Sequence, residues 1–88
     1  MKLIIAILRD DDNEDVSSAL IEGGYRVTRI ASTGGFLRRG MTTLMIGVED
    51  DSVDDAIQIV QDACAPVEEP GMRRVTLFVL KVDQFAQI

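Results

Sequence analysis

The chain has 88 residues, 47% of them hydrophobic and 27% charged, with a net charge of −6, one cysteine and no histidine. That length predicts one domain spanning residues 1–88, with a single modest core and little room for a separate catalytic module. Without histidine there is no Ser-His or Cys-His nucleophile pair, and the lone Cys64 allows neither an internal disulfide nor a four-cysteine zinc site.

These absences count against an enzyme, and no metal or other cofactor is expected. A net negative charge argues against nucleic acid or an anionic membrane as partner. No apolar run approaches the roughly 20 residues of a membrane-spanning helix, and no small-residue cleavage site follows the opening segment, so a cytoplasmic location is expected.

Along the chain, "KLIIAIL" (residues 2–8) is an apolar run of strand length, ended by the charged "RDDDNED". Val16, Ala19, Leu20 and Gly23 then recur at helical spacing, with Asp12 or Asn13 as the expected N-cap and "EGG" as the terminator. "YRVTRIAS" alternates Tyr25 and Val27 against Arg26 and Thr28, which places a positive charge and a hydroxyl side by side on one strand face. The glycine-rich "STGGFLRRG" (residues 32–40) leads into a third strand, "MTTLMIGVE".

"DSVDDAIQIVQDAC" reads as a second helix on Val53, Ala56, Ile57, Val60 and Cys64, with Ser52 and Asp55 as a capping-box-like start. "APVEEPGM" is a loop, and "RRVTLFVLKV" the last strand.

The order β-α-β-β-α-β predicts an α+β, ferredoxin-like fold, a four-stranded antiparallel sheet with two helices on one face. Both terminal strands are apolar on two sides: Ile4, Ala6 and Leu8 against Leu3, Ile5 and Ile7, and Val75, Leu77 and Val79 against Phe78, Leu80 and Val82. Two helices cover one side only. The other side predicts association with further copies of the chain, because a naked apolar sheet face is rare on a monomer.

Charge is unevenly spread. From Gly24 to Val48 there is no carboxylate, while Arg26, Arg29, Arg38 and Arg39 give that window +4 and leave −10 for the remainder. Glycines let backbone N–H groups converge on an anion, arginines bond phosphate oxygens, and Phe36 and Leu37 offer apolar surface to a base. No Gly-Lys-Ser/Thr of a Walker A loop is present, and the loop leads into a strand where a dinucleotide fingerprint would open a helix. A hairpin with solvent-facing arginines would have a similar composition.

The alternating acids Asp10, Asp12 and Glu14 do not form a calcium loop, since the required glycine falls at Asp15 and the required glutamate at Ile21. Acids at a helix N-terminus account for them. Cys64 lies on the apolar stripe of its helix and reads as core packing. Lys2, Arg73, Arg74 and Lys81 read as charges that guard strand edges. An RNA-recognition module shares the element order but needs aromatic pairs that the first and third strands lack.

The stretch "RVTRIASTGGFLRRGMTTLMIGVEDDSVDDAI", with "MKLIIAILRDDD" before it and "TLFVLKVDQF" after it, resembles the PII-like cyclic di-AMP receptor family over most of the chain. The resemblance implies a ferredoxin-like homotrimer, a non-enzymatic signalling receptor that binds cyclic di-AMP, a bacterial second messenger, in clefts between subunits. By position it implies that Arg26 and Thr28 approach phosphate and ribose. Gly35, Phe36 and Leu37 would enclose an adenine, and Gly47 would make a strand backbone contact. Phe78 and Gln87 would close the cleft from the neighbouring subunit.

The sequence departs from the family pattern at two places. Met41 stands where the family has an adenine-binding asparagine, and the loop from Cys64 to Arg73 is shorter. A related adenine nucleotide as ligand, or a trimer that has lost or changed its ligand and acts as a protein-interaction module, are the alternatives these departures leave open. A downstream protein partner is expected but not named.

Overall fold

The computed structural model describes residues 1–30, 40–64, 75–84 and 86. Strand β1 (Lys2–Arg9) leads directly into helix α1 (Asp10–Glu22), followed by β2 (Arg26–Ile30), β3 (Met41–Val48), a 3-10 turn (Asp50–Ser52), helix α2 (Val53–Ala63) and β4 (Val75–Lys81). All four strands lie in one sheet of order β2-β3-β1-β4, and every neighbouring pair is antiparallel. The ferredoxin-like α+β architecture expected from the element order is what the chain adopts.

Strand alternation divides the sheet into two faces. On the helix-covered face Ile4, Ala6, Leu8, Leu44 and Ile46 are fully buried together with Val16 and Leu20 of α1 and Ala56 and Val60 of α2. Val53, Ile57 and Cys64 pack against this core at half burial, so the second-helix stripe and the packing role of Cys64 stand as read.

The opposite face is open. Its β1 residues Leu3, Ile5 and Ile7 and its β3 residue Met45 are only half-buried, while Phe78 and Leu80 on β4 remain 50% and 46% exposed. This is the apolar surface that the two-sided strands predict.

Helix α1 ends in a Schellman motif. Gly24 takes φ +91, its N–H donates to the Ile21 carbonyl, and the Tyr25 N–H donates to the Leu20 carbonyl. A residue with a Cβ would be strained at Gly24, which is why "EGG" stops the helix where it does.

Two expectations about helix starts are corrected. Helix α1 begins at Asp10 with Arg9 as N-cap, and Asp12 and Asn13 are buried inside its first turns. Three acids in a row give the dipole favourable charge from any starting point, so composition alone did not locate the cap. At α2, Ser52 occupies the N-cap position but has helical backbone angles and makes no capping bond; the preceding 3-10 turn takes over, with the Ser52 N–H donating to the Glu49 carbonyl.

Candidate functional site

The open face brings three of the expected site residues together. Arg26 pairs in register with Gly47, and Thr28 with Met45. Alternation puts Arg26 and Thr28 on the open side, because Val27 between them packs against the core. Arg26, Thr28 and Gly47 are all exposed. A Cβ built on Gly47 meets nothing within 4 Å. Nothing among the described residues therefore requires a glycine in the middle of a strand, where it costs order, and a close approach by another group is a physical reason for it.

Phe78 lies on the same face but on the far edge. It pairs with Ile5 of β1, which in turn pairs with Met45. Thr28, Met45, Ile5 and Phe78 thus form one row across four strands, and three strand spacings of about 4.8 Å separate its ends by about 14 Å. One base cannot stack on Phe78 and meet Thr28 of the same chain. Gly35, Phe36, Leu37 and Gln87 lie outside the described residues, as do Arg38 and Arg39.

The basic island is rearranged by the fold. Arg29 pairs with Leu44, so it points to the helix side, where it lines a shallow groove with Asn13, Glu14 and Ser17 of α1. It does not join Arg26. Arg9, which pairs with Met41, lies on the open side in line with Ile7, at the end of β3 far from Arg26. Charge counting along the chain missed Arg9 because it borders the acidic run; the alternation of β1 was the signal that could have found it.

Two hydrogen bonds hold the entry to β3. The Asp10 N–H donates to the Gly40 carbonyl at 2.8 Å, and the buried Thr42 hydroxyl donates to the Asp10 carboxylate. Gly40 has φ +83, so the chain turns there in a conformation that favours glycine before entering β3.

At the other end of the sheet, the Tyr25 hydroxyl donates to Asp55 Oδ2 at 2.6 Å. That bond raises the phenol above its usual pKa and ties the start of β2 to α2. Nearby, Asp50 accepts from the Met1 amino group at 2.9 Å, which holds its carboxyl below the usual range. Lys2 pairs in register with Lys81, and both add to the positive field on Asp50; by alternation they lie on the opposite side of the sheet from Arg26.

Among the described residues no group of three or more cysteine or acidic side chains is placed to hold a metal ion, and no helix is long and apolar enough to cross a membrane.

Comparison with known proteins adds identity to this geometry. The sequence model of the cyclic-di-AMP receptor family matches residues 1–70. A nitrogen fixation nifHD2 region GlnB-like protein 1 of Methanosarcina barkeri is 34% identical, the match covering 68% of this chain and 70% of that protein. A crystal structure of a functionally unknown protein from Pediococcus pentosaceus superposes with a TM-score of 0.77 at 36% identity, covering 99% of this chain and 96% of that one.

Proposed function

This chain belongs to the cyclic-di-AMP receptor family, a PII-like group, and from that premise we propose that it is a signalling receptor that binds cyclic di-AMP in clefts between the subunits of a homotrimer. The observation that carries the reading is the row of Arg26, Thr28 and the unexplained Gly47 on an open apolar sheet face. A cation, a hydroxyl and a strand backbone without a Cβ suit phosphate and ribose. The apolar remainder of the face suits other copies of the chain.

Phe78, about 14 Å across the sheet from Thr28, fits a role toward the neighbouring copy's ligand, as does Gln87 from the C-terminal segment. Gly35, Phe36 and Leu37 then enclose the adenine from the loop. No bond is made or broken in this reading. Occupancy is passed to a downstream protein, and the Asp10 contacts to Gly40 and Thr42 would connect the entry to β3 to the start of α1. The protein acts in the cytoplasm and needs no cofactor.

Met41 favours a second reading, a trimer with an altered ligand, because a thioether offers only a weak acceptor to a base. Isothermal titration with cyclic di-AMP, ATP, AMP and cyclic di-GMP separates the two. Saturable binding of cyclic di-AMP at one per chain, stronger than ATP or AMP, is the expected result. Heat with none of the four would overturn the receptor reading and leave the interaction module.

A further inference from the structure

At the end of β3 far from Gly47, the open face carries a second polar cluster. Arg9 closes β1 opposite Met41, is exposed, and makes no ion pair among the described residues. It is also the N-cap of α1, where its side chain makes no capping bond and where the helix dipole disfavours a positive charge. Helix stability does not explain an arginine there.

Thr43 sits one step along the same face, diagonal to Arg9 and flanked in register by Ile7 and Ile30. It is 7% exposed, and its Oγ1 has no hydrogen-bond partner among the described residues. A buried unpaired hydroxyl costs stability that a valine of the same shape would not. Core packing therefore does not explain the threonine either.

Resting on the receptor reading above, we infer that Arg9 and Thr43 form a second recognition point of the nucleotide site, one that takes a group presenting hydrogen-bond acceptors in a fork. Such a group is either the O6/N7 edge of a guanine or a terminal phosphate. Arginine has five donors and no acceptor in a planar fork. Adenine sets a donor beside its acceptor, so it matches an arginine only in part, whereas guanine and phosphate match it fully. Met41, opposite Arg9, adds apolar contact and no directional preference for adenine.

Gly47 and Met41 are six residues apart on β3, about 20 Å. Arg26 and Arg9 of one chain thus address different ends of a ligand and not the same phosphate.

The test is titration of the full chain and of Arg9→Ala, Arg9→Lys and Thr43→Val with cyclic di-AMP, cyclic GMP-AMP and linear 5′-phosphorylated diadenylate. The wild type is expected to bind at least one of the last two as tightly as cyclic di-AMP. Arg9→Ala should weaken that ligand about tenfold and cyclic di-AMP by less than about threefold. Arg9→Lys should restore the linear ligand if phosphate is the group read, and should fail to restore cyclic GMP-AMP if guanine is. Thr43→Val should raise the melting temperature of the free protein and weaken binding of the same ligand, a pairing that a purely structural threonine would not give.

Unchanged affinities for all three ligands in Arg9→Ala and Thr43→Val would overturn the inference while leaving the receptor reading in place. So would a wild type that prefers cyclic di-AMP over both others by about tenfold or more. Failure of the wild type to bind any of the three would overturn the receptor reading and the inference together.

Discussion

The two faces of the sheet are built from similar side chains and meet opposite fates. On β1, Ile4, Ala6 and Leu8 are fully buried under the helices, while Leu3, Ile5 and Ile7, one residue away, stay half-buried on the open side. The first face is closed by its own chain, and folding accounts for it. The second is also apolar, borders exposed arginines, and is left uncovered by the two helices. On the proposed reading, stability resides on one face and recognition on the other.

This contrast breaks first if substitutions fail to separate. Leu44→Ala, in the helix-side core, should cost about 2–5 kcal/mol in urea unfolding, a large share of the stability of a domain this size. Leu80→Ser on the open face, where Leu80 is 46% exposed, should leave the unfolding of the isolated chain within about 1 kcal/mol and lower the solution mass by light scattering. A change of similar size in both variants would erase the distinction between the faces.

Arg26→Ala should weaken cyclic di-AMP about ten- to a hundredfold and flatten the salt dependence of binding. Affinity and salt response equal to wild type would remove Arg26 from the site. A smaller effect is expected at the entry to β3. Thr42→Val removes the hydroxyl that bonds the exposed Asp10 carboxylate, at a cost of about 0.5–1.5 kcal/mol by thermal unfolding.

The smallest effect concerns Tyr25, the only tyrosine. Its phenol should titrate above the ordinary tyrosine value, and Asp55→Ala should lower the midpoint, as followed by ultraviolet absorbance. Because folding raises this pKa, the bond's contribution is present below the ordinary tyrosine range and is lost as pH climbs through the raised value. Asp50 works in the opposite sense. Its lowered pKa gives a contribution present above the ordinary carboxylate range and lost on acidification through the lowered value. Its exposure keeps that contribution small.

Much of the fold was legible because strand and helix periods differ. Period two in "YRVTRIAS" put Arg26 and Thr28 on one face, and the two-sided apolar strands implied an open one. What period and composition could not supply was register. Arg29 was grouped with Arg26 by sequence proximity, but pairing with Leu44 sends it to the helix side, and Arg9 was overlooked among the acids that follow it.

Helix caps were misjudged where acids are dense, since side chains able to cap stand at several successive positions. The site was only partly legible for a further reason. Arg26 and Phe78 stand on opposite edges of one sheet, and no single chain contains a complete cleft in this account.

That last point can be tested most directly by mixing two defective chains. Arg26→Ala and Phe78→Ala should each bind cyclic di-AMP poorly alone. Co-refolded in equal amounts, they should regain tight sites at about a quarter of the full number, because random assembly reunites an intact Arg26 and an intact Phe78 across some interfaces. A mixture that assembles like the wild type yet recovers no tight site would contradict a ligand cleft shared between copies.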